Sequence, residues 1–147
     1  MSTATQRTIV VAIDGSPGAL KGALFSAELA VQCGWRLVLT HSVVPEVVTP
    51  ANGHTPETET DRIAMHESEL MLSLHKDKLK ARFPTLMIEV RPLTGKVAAA
   101  VSQLADELDA DIVMVGAGGL GIIGRFLLGS VADRLVNICN RSVLVVP

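Results

Sequence analysis

The sequence predicts an α/β protein in which an open five-stranded parallel sheet carries helices on both faces, and three observations lead to that prediction. Hydrophobic residues make up 48% of the chain and aromatic residues only 3%, which indicates an aliphatic core. The run from Thr8 to Asp14 is apolar at nearly every position, as in strands that are buried on both faces. Four further apolar runs alternate with segments of helical period, and the order βαβαβαβαβ favours a parallel sheet with right-handed crossovers.

The first helix is predicted from both of its ends. Ser16 and Pro17 have the chemistry of an N-cap and a first helical residue, and Gly34 is a typical C-terminal stop. Helical spacing predicts that one face of this helix packs on the sheet. That face consists of Leu20, Ala23, Leu24, Ala27 and Val31.

The other elements follow in order along the chain. Thr58 and Asp61 lie three residues apart and predict a capping box for a helix that continues to about Phe83. A third helix opens at Gly95, and the last one extends from about Ser130 to Cys139. The remaining strands are predicted at Arg36 to Val44, Leu86 to Pro92, Asp111 to Gly116 and Ser142 to Pro147.

A polar segment from Pro45 to Thr60 separates the second strand from the second helix. A loop of this length is either a lid or disordered, and its content of Pro, Thr and Glu favours disorder. Neither interpretation changes the predicted order of the strands.

Composition and charge limit the function classes. A chain of 147 residues with a net charge of −2 has room for one domain over residues 1–147 and has no basic stripe, so we expect no nucleic acid partner. The N-terminus lacks the apolar core of a signal peptide, and no apolar run reaches the roughly 18 residues of a membrane helix, which favours a cytoplasmic protein without a membrane partner. Cys33 and Cys139 are interpreted as small core residues.

Candidate ligand contacts converge on one edge of the predicted sheet. Ligands of such sheets bind at the carboxyl ends of the strands, where the winding reverses. Asp14, Ser42 and the stretch from Val115 to Arg134, which holds six of the twelve glycines, follow strands at that edge. Asp14 suits either a ligand contact or a turn that bonds its own backbone. The glycines suit either a flexible loop or a backbone cradle for an anion.

Two common phosphate motifs fit these glycines poorly. A dinucleotide fingerprint at Gly116, Gly118 and Gly121 should open a helix at once, but the next predicted helix begins well after it. A P-loop needs a lysine and then a hydroxyl residue after its second glycine, and here Arg125 and Phe126 occupy those places. Both templates are therefore disfavoured.

A third pattern, G-x2-G-x9-G-S, is complete at Gly116, Gly119, Gly129 and Ser130. With "VVAIDGS" near the start, "GKVAAAVSQLADELDADIVMVG" and the final "SVLVVP", the chain resembles the universal stress protein family over essentially its whole length, and in particular the ATP-binding branch. The resemblance implies a Rossmann-like, nucleotide-binding α-hydrolase-like fold. It also implies a cytoplasmic, dimeric regulator of the stress response with ATP, alone or with Mg²⁺ or Mn²⁺, as its ligand.

Site residues follow from the resemblance position by position. They are Ala12 and Asp14 beside the adenine and ribose, Ser42 or Val43 at the adenine edge, Gly116 and Gly119 against the ribose and phosphates, and Gly129, Ser130 and Val131 around the phosphate tail. The resemblance also implies a homodimer through the final strand, Ser142 to Val146. Two departures, Leu120 in place of a basic residue and Ala132 in place of a hydroxyl residue, imply weaker phosphate binding.

The residues themselves support an anion site. The N-terminus of the last helix offers free N–H groups and a partial positive charge, and Ser130 adds a hydroxyl, although Ser130 also suits an N-cap paired with Asp133. Arg125 is the nearest fixed cation and either contacts phosphate or lies in solvent. We predict no catalytic residue and no metal ligand, since no triad is evident and the four histidines lack metal-binding spacing.

Three functions remain open on the sequence alone. The leading one is an ATP-dependent regulator. The second is a slow ATP hydrolase, limited by the lack of an evident general base. The third is a dimeric scaffold of the same fold that binds no nucleotide. An apolar edge such as the final strand calls for a partner in all three.

Overall fold

The structure is a computed structural model that describes residues 5–45, 58–118 and 128–147. The predicted loop from Pro45 to Thr60 falls largely outside these residues. The elements alternate as predicted. They are β1 (Thr8–Ala12), α1 (Pro17–Cys33), β2 (Arg36–Val43), α2 (Glu59–Arg82), β3 (Ile88–Thr94), α3 (Val97–Glu107), β4 (Ile112–Gly116), α4 (Ser130–Ile138) and β5 (Ser142–Val146).

The five strands form one parallel sheet in the order β3-β2-β1-β4-β5. This confirms the predicted fold class, and β1 lies at the centre, as its continuous burial requires. β3 begins two residues later than predicted and includes Pro92, which an edge strand tolerates because one of its sides has no ladder partner. Within the described ranges, no helix combines the length and apolar character needed to cross a membrane.

Alternate residues of the strands belong to two hydrophobic cores, one on each face of the sheet. On one face, α1 and α2 cover Ile9, Val11, Leu37, Leu39 and Met114. On the other face, α3 and α4 cover Val10, Val38, Val113 and Val115. The sheet therefore separates α1 from α4, which sets the position of the site described below.

The prediction for the buried face of α1 is wrong in part. Ala23 and Ala27 are buried as expected, but the large residues predicted beside them, Leu20, Leu24 and Val31, are exposed. The buried face consists of Ala19, Gly22, Ala23, Ser26, Ala27 and Ala30. The helix lies so close to the sheet that only small side chains fit, and a Cβ on Gly22 would collide with the fully buried side chain of Met114.

The predicted ends of α1 and the predicted start of α2 are confirmed, whereas α3 begins at Val97 and not at Gly95. Ser16 caps α1 by accepting the Ala19 N–H over 3.2 Å, and Gly34 closes the helix at a φ of +71°. Thr58 and Asp61 form the reciprocal capping box of α2. The prediction for the cysteines fails for Cys33, which is exposed, whereas Cys139 is half-buried against the second core.

The amino-terminal end of the sheet is closed by a polar and aromatic cluster. The carboxylate of Asp111 accepts the Arg7 Nε–H over 2.8 Å and the Thr8 N–H over 3.0 Å. The Arg7 guanidinium also lies over the ring of Trp35, 4.5 Å from its centroid. This cluster joins the starts of β1, β2 and β4 at the end opposite the candidate site.

We expect α2 to contribute to stability through its inner face alone. Leu72 is fully buried against the sheet, whereas Leu74, on the same helix, is 60% exposed. Leu72→Ala should lower the free energy of unfolding by about 2–5 kcal/mol because it leaves a cavity. The matched control Leu74→Ala should change it by no more than about 0.5 kcal/mol. Urea denaturation at low micromolar concentration measures both, and equal losses would contradict this packing.

Candidate functional site

The carboxyl ends of β1 and β4 open into a cleft of about 270 Å³. The strand order reverses between these two strands, so that α1 and α4 leave them on opposite faces of the sheet and a space remains between the helices. The walls of the cleft are largely apolar and come from Ala12, Ile13, Val97, Val115, Val131 and Ala132. Its polar groups belong to Asp14, His41 and Ser130 and to the glycine backbone.

Two glycines bring the chain on either side of residues 119–127 into backbone contact. The Gly129 N–H donates to Ala117 O over 2.6 Å, and a Cβ on Gly129 would lie 2.9 Å from that oxygen. Gly118 has a φ of +84°, and a Cβ there would lie 3.0 Å from Gly129 Cα. Both contacts are with main-chain atoms, so a larger residue at either place would have to displace the backbone.

Helix α4 begins directly behind this contact. Gly129, not Ser130, is its N-cap, and the Asp133 N–H donates to Gly129 O over 2.9 Å. Since glycine has no side chain to cap the first turn, the N–H groups there and the Ser130 hydroxyl can face a ligand in the cleft. An anion at such a helix end gains about 0.3–1 kcal/mol, and up to about 2 kcal/mol when partly buried.

Gly116 ends β4 where the first turn of α1 crosses it. A Cβ on Gly116 would lie 3.1 Å from Ala19 N and 3.2 Å from the carbonyl carbon of Gly18. The glycine therefore permits close packing of α1 on β4, and it also lines the cleft. Its backbone leaves no side chain between the two helices that border the site.

Asp14 forms the predicted turn and also lines the cleft. One oxygen, Oδ1, accepts the Ser16 N–H over 2.8 Å, which confirms the turn interpretation. The residue also lines the cleft, and Oδ2 makes no hydrogen bond within the described parts of the chain. The turn thus fixes the carboxylate while one oxygen stays available to a ligand.

His41 forms a wall of the cleft that the sequence did not reveal. Its Nδ1 lies 2.8 Å from the hydroxyl of Ser68, a buried residue of α2, and this contact fixes the imidazole ring. Burial lowers the pKa of His41 below its ordinary value of 6.5, while the negative charge of Asp14 acts in the opposite direction. The cleft therefore holds a neutral imidazole at neutral pH.

The structure brings together most of the predicted site residues. Those that line the cleft are Ala12, Asp14, Gly116, Gly129, Ser130 and Val131. Ser42 and Val43 do not line it. The Ser42 hydroxyl donates to Gly95 O over 2.7 Å, and Val43 O accepts the Gly95 N–H over 2.9 Å. Their role at an adenine edge stays a prediction. Gly119 and Arg125 lie outside the described residues.

Six residues that line the cleft were not predicted as site residues: Ile13, His41, Val97, Val115, Gly118 and Ala132. Successive side chains of a strand point to opposite faces of the sheet. Ser42 therefore lies on the face covered by α3, and His41, one position earlier in β2, lies on the face covered by α2. The strand period was the available signal. No such signal existed for Val97, which reaches the cleft from the start of α3.

The fold and the cleft are those of a doubly wound parallel α/β protein, in which ligands bind where the strand order reverses, here between β1 and β4. The model of the universal stress protein family matches residues 6–147. The chain therefore belongs to the universal stress protein family.

Similar proteins agree with this assignment over nearly the full chain. A universal stress protein of Mycobacterium tuberculosis is 28% identical over 141 residues, which is 95% of each chain. A second relative, from Methanocaldococcus jannaschii, is 29% identical over 142 residues, covering 95% of this chain and 81% of that protein.

Two solved structures are similar in fold as well as in sequence. A universal stress protein in complex with cAMP is 28% identical with a TM-score of 0.70, covering 97% of both chains. A universal stress protein of Archaeoglobus fulgidus in complex with dAMP is 25% identical with a TM-score of 0.68, covering 97% of this chain and 99% of the other.

His41 should make stability depend on pH in a defined direction. Its pKa in the folded chain lies below the unfolded value, so below about pH 6.5 the unfolded chain binds a proton that the folded chain does not. The free energy of unfolding should fall as pH falls through this range, by at most about 1.4 kcal/mol per pH unit for this one group. His41→Asn should flatten that decline in urea titrations at pH 5 to 7; an unchanged decline would contradict this assignment.

Proposed function

We propose that the chain is a cytoplasmic, ATP-binding regulator of the stress response, in which bound nucleotide changes the surface offered to a partner. A ligand shifts a conformational equilibrium only by its differential affinity for the two states. In this cleft, the contacts that nucleotide makes in one state and not in the other would lie at two places. These are the backbone contact between Gly118 and Gly129 and the first turn of α4.

One observation carries the proposal: the uncapped N-terminus of α4 and the carboxylate of Asp14 border the same apolar cleft. An anion suits the helix end, and a carboxylate suits the hydroxyl groups of a sugar. The apolar walls suit a planar base. A nucleotide carries all three chemical groups in one molecule.

The polar groups of the cleft divide along its length. Ser130 and the N–H groups of the first turn of α4 would hold a phosphate, and the glycine backbone would let its oxygens approach closely. Asp14 would accept hydrogen bonds from ribose through Oδ2. A divalent cation that accompanies a triphosphate would find one carboxylate, that of Asp14, among the described residues of the cleft.

Neighbouring structures support an adenine ligand. The solved proteins at 28% and 25% identity are in complex with cAMP and dAMP, respectively. Both of these ligands contain an adenine and a phosphate. The preference for ATP depends further on Gly119 and Arg125, which the G-x2-G-x9-G-S pattern and the charge of the segment assign to the phosphates. Binding measurements with AMP, cAMP, ADP and ATP distinguish these ligands.

We expect Gly129→Val to weaken ATP binding at least about tenfold, a loss of about 1.4 kcal/mol, because its Cβ would lie 2.9 Å from Ala117 O and push the start of α4 away. Gly18→Ala is the matched control, since the nearest atom to its Cβ is 4.0 Å away. Isothermal titration calorimetry measures affinity, and mass spectrometry identifies nucleotide released from the denatured protein.

Each outcome of that experiment has a defined meaning. Loss of ATP in Gly129→Val with retention in Gly18→Ala supports the cradle. A parent protein that binds none of the four adenine nucleotides refutes the proposal and favours the scaffold function. Steady phosphate release from bound ATP, abolished by Ser130→Ala without loss of binding, would instead favour the slow hydrolase.

We also propose a homodimer through β5, Ser142–Val146. This strand pairs with β4 on one side and ends the sheet on the other, and its four hydrophobic residues are half-buried. Such an edge is a template for a second strand. A two-fold axis would pair the β5 strands of two copies antiparallel and extend the sheet across the dimer.

The open edge of β5 can be tested by removing one N–H group. Val146 O accepts the Ala117 N–H over 2.8 Å, so Val146 bonds towards β4 and the backbone of Val145 faces the open edge. Val145→Pro should therefore keep the pairing with β4 and convert the dimer to a monomer. Light scattering at micromolar concentration measures the mass, with Val145→Thr as the control that keeps the N–H. A dimeric Val145→Pro would contradict the proposed interface.

A further inference from the structure

The outer face of α2 carries a line of apolar side chains that nothing in the described chain covers. Ile63 and Leu70 are each 53% exposed, Leu74 is 60% exposed, and Ala81 is also exposed. These four residues, defined here as the outer stripe, lie seven, four and seven positions apart, which keeps them in line along the helix. The inner face, with Ser68, Leu72 and Leu79, already packs on the sheet.

The charges of α2 are divided between its two halves. The half from Glu59 to Leu70 contains four carboxylates and one arginine, a net charge of −3. The half from Met71 to Arg82 contains four cationic side chains and one aspartate, a net charge of +3. Two such helices attract each other when antiparallel and repel each other when parallel and in register.

We propose that the outer stripe is an interface between two copies of this chain, in which their α2 helices pack antiparallel about a two-fold axis near residue 72. This register places Leu70 of one copy opposite Leu74 of the other, and Ile63 opposite Ala81. The stripe is thereby self-complementary, as an isologous interface requires.

The flanking charges fit the same register. Glu67 and Lys78 lie eleven positions apart, about three helical turns, on one side of the outer stripe. Neither side chain forms an ion pair within residues 5–45, 58–118 and 128–147, whereas Arg62 is paired with Glu59 and Arg82 with Glu28. In the antiparallel pair, Glu67 of each copy lies beside Lys78 of the other.

This interface is separate from the cleft and from β5. The outer stripe faces away from the sheet, and α2 packs on β2 and β3, at the sheet edge opposite β5. Val145→Pro therefore gives a background in which association through α2 is measured alone. Where the proline variant does not fold, Val145→Lys serves in its place, because a lysine on an edge strand opposes strand pairing through its charge although it keeps the N–H.

Sedimentation of this background tests the interface. We expect reversible dimerisation with a Kd on the order of 100 µM, because a single helix face is a small interface. Leu74→Glu should weaken it at least about tenfold, and Val136→Glu, at a comparably exposed position on α4, should leave it unchanged. A background that stays monomeric up to about 1 mM overturns the proposal and leaves the stripe to a different partner.

Charge reversal tests the register. Lys78→Glu alone should weaken dimerisation several-fold, and Glu67→Lys with Lys78→Glu should restore it to within about threefold of the background, because the reversed pair is equivalent. Disulfide formation tests the orientation after Cys33 and Cys139 are replaced by serine. A mixture of Ile63→Cys and Ala81→Cys chains should cross-link across the pair. Faster cross-linking by Ile63→Cys alone would indicate parallel helices and overturn the proposal, as would a double reversal that fails to restore dimerisation.

Discussion

The close approach of Gly118 to Gly129 is the constraint on which the site depends. The end of β4 and the start of α4 must lie within main-chain contact of each other. The hydrogen bond from Gly129 to Ala117 O holds that closure, and its position fixes where the first turn of α4 points. At the α1 border of the cleft, Gly116 likewise permits close contact, because it has no Cβ to hold α1 away from β4. The shape of the cleft thus depends on glycine at three positions, where any side chain would collide with the backbone.

Much of the fold follows from patterns that are local in sequence. The continuous apolar run of β1 predicts its central place, and cap chemistry at Ser16, Gly34 and Thr58 predicts three helix ends. The buried face of α1 could not be predicted the same way. Hydrophobicity ranks leucine above alanine for burial, whereas the distance between α1 and the sheet, a property of the assembled fold, admits only the smaller residue.

The site divides along a similar line. Gly116, Gly129 and Ser130 could be predicted because they complete the G-x2-G-x9-G-S pattern of the family that the chain resembles, and Asp14 because it follows a buried strand. His41 is different, because its place in the cleft depends on Ser68, a residue far away in sequence on α2. That helix therefore has two faces of interest: an inner one that supports a wall of the cleft and an outer one with the apolar stripe. Neither role could be predicted from the sequence, because both depend on how α2 packs on β2.

The cluster of Arg7 and Trp35 gives the molecule a useful optical property. The chain has one tryptophan and no tyrosine, and Trp35 lies at the amino-terminal end of the sheet, away from the cleft. Its fluorescence therefore reports on the integrity of the fold without direct quenching by a molecule at the other end. Near-ultraviolet absorbance of the protein is correspondingly weak, so an aromatic ligand is visible against it. Unfolding and ligand occupancy can thus be followed in one sample by two independent signals.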